Sequence, residues 1–527
     1  MVTNFEKSNS ELLQNVKEKI GSPVSVEVVL ATLESLGIKS ENVPEDFGYD
    51  DSWTLASDIF QKLAVKPLKV VRPENNLKST EKPKKILLNS YLFVKQYFFS
   101  TSYLLAFAIQ LTSIIVYGFS IYVYTGFNHV QSTVVVLGII IGMIISGGFI
   151  QVIGNQVSKH FYLKDYRLVE QMTFFLLKKG VVFIFLTLLV IMVLNLIIPI
   201  YPYKTMLLIV SYAFGVGLLF LVFSPLHVIR NRKVIFLSTL AATLICLPFI
   251  NNTSVNIYQL HFLGLFTAIG SVILFLIFYF KRKRKISISS NVTFQKGSLF
   301  YNNIYPFLYG FLINFFFFID RIIAWSSNET SNFFLPVYYE KDYEIGMDLS
   351  IIFFLLLAGF LEHSNNSLFN FLNTEKKYTS LTNLKEYRKK ILSLYIKNIS
   401  VIFLASIPIY MVILYIFYGQ WGYNYFFTEP LKSINIKIAN IGVLGYLFLC
   451  FGMLNSSYLI SMKRHEKVLK ILVLACVLNI SSGFIISRLF SYEDSVYGML
   501  IASVAFTYLT LKENLNIYKN IDYYATL

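Results

Sequence analysis

The chain has 527 residues, of which 55% are hydrophobic and only 14% are charged, and its mean hydropathy is +0.58. These values exclude an ordinary soluble globular protein and indicate a polytopic membrane protein. The formal net charge of +16 does not indicate nucleic-acid binding, because the basic residues are dispersed over short loops and form no folded basic face for a phosphate backbone.

The first region in chain order is polar and acidic. Residues 1–60 contain eleven Asp or Glu and four Lys, and three apolar stripes at helical spacing predict a bundle of three short helices. The stretch "GYDDSW" at 48–53 is faintly similar to the prosthetic-group site of a carrier protein, but Ser52 is better interpreted as a helix N-cap. We therefore predict an acidic cytoplasmic helical domain over 1–65.

A basic linker is predicted next. Residues 61–95 contain nine Lys or Arg and two Glu, and Pro67, Pro73 and Pro83 lie among the lysines. This composition predicts a flexible linker over 66–85 that lies against anionic lipid headgroups.

Twelve apolar segments follow, each close to the roughly 20 residues that cross about 30 Å of hydrocarbon. They lie at 103–124, 133–153, 181–201, 204–224, 234–250, 257–280, 304–326, 345–362, 396–418, 436–461, 467–487 and 495–511. A basic connector after the sixth segment divides them into six-helix halves at 86–285 and 286–527. Because each half has an even number of spans, any internal symmetry is a parallel repeat about an axis along the membrane normal. The predicted fold class is an all-α membrane protein of twelve helices in two halves around a central cavity.

The loops alternate in basic content, and this alternation predicts the orientation, since Lys and Arg near span ends stay in the cytoplasm. The loops rich in Lys and Arg are 154–180, 225–233, 281–303, 363–395 and 462–470. Loops 125–132 and 251–256 have neither residue, and 327–344 carries four acids, Glu344 among them, and one Lys. We expect both termini in the cytoplasm and the chain in the cytoplasmic (inner) membrane.

Polar side chains inside the spans are the candidate functional residues, because lipid offers them no hydrogen-bond partner. The most concentrated group lies at the cytoplasmic end of the second span and consists of Gln151, Asn155, Gln156 and Lys159. Of these, Gln151, Asn155 and Lys159 recur every four residues and share one helix face. Earlier in that span, small residues at the same spacing, such as Gly138 and Gly142, predict close helix packing.

The seventh span, "YPFLYGFLINFFFFIDRIIAWSS", contains two adjacent opposite charges, Asp320 and Arg321. Adjacent side chains on a helix point about 100° apart, so the two cannot neutralise each other along one stripe. Arg321 shares a face with Asn314, and Asp348, near the start of the eighth span, lies at similar depth and is the expected partner of Arg321. Two interpretations follow: a structural ion pair between the two helices, or a substrate or coupling-ion site that lines a cavity.

The sequence contains no catalytic or metal-binding pattern. Cys246, Cys450 and Cys476 lie within spans and are interpreted as small apolar residues. The histidines are scattered, and no loop carries paired carboxylates, metal-ligand spacing or a nucleotide-binding motif. We therefore expect no enzyme activity, no cofactor and no metal, and a membrane glycosyltransferase or ligase is disfavoured.

Three segments resemble a known family: "IISGGFIQVIGNQVSKHFYLKDYRLVEQM", the seventh span quoted above, and the terminal "NIDYYATL". In their order they are similar to segments of the Pel-type exopolysaccharide transporters (PelG-like), in the multidrug/oligosaccharidyl-lipid/polysaccharide flippase superfamily. The resemblance covers 86–527, and Asp320, Arg321 and Trp325 match the family's acid-base-aliphatic-Trp run. The eighth span departs from the family pattern at 362–366, which leaves the role of Glu362 undetermined.

The resemblance implies a flippase-like pair of halves that exports a cationic amino-sugar polysaccharide. Its implied partners are membrane lipid, the polysaccharide, a cytoplasmic glycosyltransferase and other membrane components of a synthase complex, including a cyclic-di-GMP-responsive one. The alternative is an ion-coupled exporter or flippase of lipid-linked oligosaccharide or small molecules on the same fold. The candidates for a substrate pathway or gate are Asp320, Arg321, Asn314, Trp325, Asp348, Gln151, Asn155 and Lys159.

Overall fold

A computed structural model describes most of the chain. The described residues are 4–20, 26–38, 40–63, 94, 97–98, 101–102, 104–250, 255–284, 303–327, 337–378, 384–427 and 429–519. The predicted linker at 66–85 and the segment "NIDYYATL" lie outside them. The chain divides into two compact units, Met1–Leu87 and Leu88–Leu527.

The first unit is a small helical bundle. Its helices are α1 (Asn4–Ile20), α2 (Val26–Ser35), α3 (Val43–Phe47) and α4 (Ser52–Leu63). The predicted stripes meet in one core, which includes Val16, Val29, Leu33, Leu55 and Ile59.

The N-cap of α4 is Asp51 and not Ser52, which was the residue predicted from the sequence. Asp51 Oδ1 accepts a hydrogen bond of 2.7 Å from the Thr54 amide, and Ser52 is already the first helical residue. An Asp carboxylate is as good a cap as a Ser hydroxyl, so the pattern "DDS" allowed either register.

The described residues of the second unit include the twelve predicted apolar helices and one short extra α-helix. They are α5 (Leu104–Tyr117), α6 (His129–Tyr162), α7 (Tyr166–Ile197), α8 (Tyr203–Val228), α9 (Lys233–Cys246), α10 (Ile257–Arg284), α11 (Ile304–Trp325), α12 (Lys341–Tyr378), α13 (Leu384–Tyr418), the short α14 (Tyr423–Phe426), α15 (Ser433–Ser461), α16 (His465–Leu489) and α17 (Val496–Lys519). Ten are long and apolar enough to cross a membrane, and α5 and α9 are shorter apolar helices. Several run past the predicted spans, so much of the basic residue content assigned to loops lies on helix ends.

The first apolar helix is shorter than the predicted span 103–124. It ends at Tyr117, because Gly118 has a φ of 66° and turns the backbone into the left-handed region. The chain then folds back, and Phe119 and Tyr124 form an antiparallel bridge. Hydropathy did not detect this reversal, since the apolar residues continue through it.

The two halves repeat the same helix packing. In the first half α6 packs on α7 and α8, α9 packs on α5 and α10, and α8 packs on α10. In the second half α12 packs on α13 and α15, α16 packs on α11 and α17, and α15 packs on α17. Each pair joins helices of the same order within its half, as a parallel repeat requires.

Two ends of this unit can be distinguished. The basic end carries the tight turns that follow α6, α8 and α15, where Lys164, Arg230 and Lys463 have positive φ values of 59°, 55° and 59°. The opposite end carries the start of α12 and the end of α11.

The α6–α11 crossing is the main helix contact between the halves in the described part of the chain. A Cβ added at Gly147 would lie 2.6 Å from the Gly310 carbonyl oxygen, so the two backbones touch directly. The predicted small residues Gly138 and Gly142 are also closely packed, but against α8 within the first half: a Cβ at Gly142 would lie 2.6 Å from the Ala213 oxygen.

Candidate functional site

The candidate site is a charge cluster between α11 and α12 at the opposite end. Arg321 Nη1 lies 3.0 Å from Asp348 Oδ1, which confirms the partner predicted from depth along the two spans. The same nitrogen also donates to Glu344 Oε2. The Arg321 and Glu344 side chains are 5% and 4% exposed, whereas that of Asp348 is 68% exposed. The cluster is therefore a buried ion pair with a second carboxylate at its open side.

Glu344 is the functional candidate that the sequence reasoning missed. It was assigned to the acidic loop 327–344, but α12 begins at Lys341 and Glu344 lies in its first turn. Acidic residues are common in the first turn of a helix, where they interact favourably with the helix dipole. The pair Asp342 and Glu344 just before an apolar run was the signal that could have placed the helix start.

Asp320 is fully buried on the neighbouring face of α11. Its Oδ2 accepts a hydrogen bond of 2.9 Å from the Tyr343 hydroxyl, and its backbone oxygen accepts one of 2.9 Å from Ser495 Oγ. Its Oδ1 and Glu344 Oε1 are buried without a hydrogen-bond partner among the described residues. The prediction that Asp320 and Arg321 need separate surroundings is confirmed, since each has its own set of partners.

Two carboxyl groups thus contact the Arg321 guanidinium, and a third, that of Asp320, is buried on the neighbouring face of the same helix. If all ionise, Asp320, Glu344 and Asp348 leave a formal surplus of two negative charges over Arg321. Like charges in a desolvated site disfavour joint ionisation. The arrangement can therefore take up a proton or a cation, and Asp348 is its exposed member.

Aromatic rings line one side of the cluster. Phe317 lies 4.8 Å from Phe354 and 5.7 Å from Tyr446, measured between ring centroids. The Arg321 guanidinium lies 5.7 Å from the Phe318 centroid. These rings exclude water from the buried side of the cluster, which strengthens the charge interactions inside it.

Trp325 and the residues after it connect the cluster to the first half. Trp325 is fully buried, and its ring lies 5.4 Å from that of Tyr339. The Tyr339 amide donates a 3.0 Å hydrogen bond to Thr133 Oγ1 on α6, and Tyr201 OH donates one of 3.1 Å to the Val337 carbonyl. The cluster therefore lies beside the contact between the halves.

The predicted group on α6 is separate from the charge cluster. Gln151 and Lys159 are exposed and Asn155 is half-buried. Gln151 packs against Gly310 of α11, and Gly310 lies about 15 Å along that helix from Asp320. Gln156, off that face, makes a buried hydrogen bond between the halves: its Nε2 donates over 2.7 Å to Asn303 Oδ1.

Asn314 belongs to the crossing and not to the cluster. Its Nδ2 donates a 2.8 Å hydrogen bond to the Gly310 carbonyl, and its side chain packs on Gly147. Two turns further along α11, Arg321 contacts α12. The face shared by Asn314 and Arg321 therefore meets two different neighbours.

A pocket of about 320 Å³ opens beside the cluster at the opposite end. It is lined by Asp342, Ile345, Tyr423, Glu429, Pro430, Leu431, Lys432 and Asn435. Lys432 Nζ lies 2.7 Å from Asp342 Oδ2, and this hydrogen bond raises the pKa of Lys432 above its ordinary value. The described residues contain no group of His, Cys, Asp and Glu side chains arranged to hold a metal ion.

Comparisons with known proteins define the class of fold. No family model matches the chain, and no curated protein matches its sequence. The outward-facing structure of a multidrug resistance MATE family transporter of the MOP superfamily is similar, with a TM-score of 0.54 and 12% identity over 81% of this chain and 96% of that one. The eukaryotic MATE transporter AtDTX14 has a TM-score of 0.54 and 12% identity over 82% and 98% of the two chains. The bent form of the Vibrio cholerae MATE transporter VcmN has a TM-score of 0.53 and 13% identity over 82% and 99%. The chain therefore has the fold of the MATE transporters: twelve membrane helices in two halves.

Proposed function

We propose that this protein is a transporter that moves a polysaccharide, a Pel-like cationic amino-sugar polymer, across the cytoplasmic membrane through a cavity between its two halves. The basic end faces the cytoplasm, as the positive-inside rule predicts, and the opposite end is the exit. A cytoplasmic glycosyltransferase and other membrane components of a synthase complex supply the polymer. The first unit is a cytoplasmic docking domain in this arrangement.

The single observation that carries the proposal is the charge cluster on a MATE-type fold. Charged side chains are rare within membrane spans and mark substrate or ion pathways. Here the excess is acidic: Asp320, Glu344 and Asp348 oppose Arg321. Asp348 is 68% exposed, so a cation that moves along the contact between the halves can reach it.

The second candidate function is an ion-coupled exporter of small molecules or lipid-linked oligosaccharide. The buried oxygens Asp320 Oδ1 and Glu344 Oε1, which have no partner in the described part of the chain, favour it. A coupling proton needs such a group, because its binding must change the charge of a buried site. Under this function the transport rate depends on external pH and is lost in Asp320→Asn.

The test measures the amount of extracellular polysaccharide made by the native host after its own copy of the gene has been deleted. The complementing chains are wild type, a chain without residues 1–60, and Asp320→Asn with Arg321→Gln. The matched control, Lys437→Gln with Asp494→Asn, neutralises an ion pair of 2.8 Å at the same end of the same half. Membrane content of each variant is measured in parallel.

We expect wild type and the control pair to restore the polymer. The double-neutral variant, Asp320→Asn with Arg321→Gln, should reach the membrane, although less stable than wild type because Glu344 loses its cation, and should export no polymer. Normal export by that variant would show that the cluster is only structural. An unchanged matrix in the deletion strain would reject polymer export and favour the ion-coupled exporter.

A further inference from the structure

A second ion pair joins the two halves at the basic end. Arg232 is the N-cap residue of α9 in the first half, and Glu362 lies on α12 in the second half. Arg232 Nη2 lies 2.7 Å from Oε1 and 2.8 Å from Oε2 of Glu362. One guanidinium nitrogen therefore holds both carboxylate oxygens across the contact between the halves.

The two side chains differ in exposure in a way that suits a reversible contact. The Arg232 side chain is only 8% exposed, whereas that of Glu362 is 34% exposed. Removal of one partner from a largely buried ion pair is destabilising, so this contact favours the arrangement in which the two halves meet here. The partly exposed Glu362 carboxylate is the member of the pair that returns to water when the halves separate.

Other contacts close the same place. Tyr97 OH donates a 3.2 Å hydrogen bond to the Leu356 carbonyl on α12, and the rings of Tyr97 and Phe360 lie 4.6 Å apart. Thr101, buried in the first half, packs against Gly359. The segment of α12 from Leu356 to Glu362 therefore covers the first half at the basic end.

The same helix also reaches the first half at its other end. Tyr339, just before α12, bonds to Thr133 on α6, and Asp348 lies about 21 Å along the helix from Glu362. A packed helix moves as a rigid element. When the halves rock about the α6–α11 crossing, one end of α12 separates from the first half while the other stays in contact.

We propose that Arg232 and Glu362 form the latch that keeps the transporter closed at its basic end, and that the latch opens when the halves separate toward the cytoplasm. The purpose of the latch rests on the proposed transport function. Its existence does not depend on the substrate, so it can be tested without one.

The experiment measures the accessibility of a thiol beneath α12. Thr101→Cys is introduced into the full chain after Cys246, Cys450 and Cys476 are replaced by Ala. Inside-out membrane vesicles are treated with a membrane-impermeant maleimide, and the labelling rate of the introduced thiol is measured. The variants are Glu362→Gln, Arg232→Gln and the charge exchange Arg232→Glu with Glu362→Arg. The control is Glu170→Gln, which breaks an ion pair of 2.5 Å with Arg284 that lies wholly within the first half.

We expect each single latch variant to label about tenfold faster than the parent, which corresponds to about 1.4 kcal/mol lost from the closed state. The charge exchange should return the rate to within about twofold of the parent, since it re-forms the pair, and it shows that the variants fold. Glu170→Gln should leave the rate unchanged. The latch is rejected if Glu362→Gln labels no faster than the parent, if Glu170→Gln accelerates labelling equally, or if the charge exchange labels as fast as the single variants.

Discussion

Replacement of Gly147 by Ala tests whether the halves meet backbone to backbone at the α6–α11 crossing. A Cβ at this position would lie 2.6 Å from the Gly310 carbonyl oxygen, about 0.8 Å short of the 3.4 Å at which ordinary van der Waals contact begins. A carbonyl oxygen in a helix cannot rotate away, so α6 and α11 must move apart. Overpacking of this kind costs about 1–3 kcal/mol, and the higher helix propensity of Ala offsets up to about 1 kcal/mol of it.

Gly154→Ala, on the same helix, is the matched control. Apart from its own helix and chain neighbours, no described residue has an atom within 4 Å of the Cβ it would carry, so only the propensity gain applies. The assay is the apparent unfolding temperature of the purified chain in detergent. We expect Gly147→Ala to unfold below wild type, and Gly154→Ala to unfold at the wild-type temperature or above it. If Gly147→Ala proved as stable as Gly154→Ala, the close crossing of the two halves would be wrong.

Three further outcomes follow from the contacts described. Arg321→Ala leaves the buried Glu344 carboxylate without its cation, so it should destabilise the fold by about 3–5 kcal/mol. Adding Glu344→Gln should recover part of this loss in the same detergent assay. An absence of recovery would argue against the pairing of Arg321 with Glu344. Tyr395→Phe removes the 2.7 Å hydrogen bond from its hydroxyl to Asn455 Oδ1 and should cost about 0.6–2 kcal/mol. The loss in the double variant with Asn455→Leu should be smaller than the sum of the two single losses; fully additive losses would mean that the two side chains do not interact. In the first unit, burial raises the pKa of Asp58, but hydrogen bonds from Lys62 and Tyr49 outweigh it and leave the pKa below its ordinary value. The ionised carboxylate therefore stabilises α4 by about 0.5 kcal/mol above about pH 4. This stabilisation is lost as the pH falls through the lowered pKa of Asp58. Hydrogen exchange of the α4 amides should show this acid-dependent loss in wild type and not in Asp58→Asn.

The sequence was sufficient for features that depend on local pattern. Each of the twelve predicted apolar segments corresponds to one apolar helix, because burial in lipid requires long apolar runs whatever the tertiary contacts are. The pairing of Arg321 with Asp348 was also predictable, since depth along two consecutive antiparallel helices follows from the rise per residue. A charge in a span needs a partner, and few candidates share its depth.

Features that depend on how the halves meet were not predictable. The contacts Gln156–Asn303 and Arg232–Glu362 join residues 147 and 130 positions apart, and no local pattern indicates either. The sequence interpretation emphasised the face that Gln151 shares with Lys159, and Gln151 does pack against Gly310 of the other half, but the buried hydrogen bond to Asn303 is made by Gln156, which lies off that face. Helix periodicity identifies which residues share a face, but not which of them finds a hydrogen-bond partner in the other half.

The three turns at the basic end have a consequence for how the chain enters the membrane. Lys164, Arg230 and Lys463 each adopt the left-handed backbone conformation, which costs an L-residue with a side chain roughly 1–2 kcal/mol and would cost Gly almost nothing. Arg230 and Lys463 occupy the same turn in the two halves, between the fourth and fifth helices. A Gly in these turns would make the folded state more stable but would remove a Lys or Arg, the residue types that keep a loop in the cytoplasm while a membrane protein inserts. In the orientation proposed above, each turn therefore gives up a small part of the final stability for a signal that acts during insertion, before the two halves have packed.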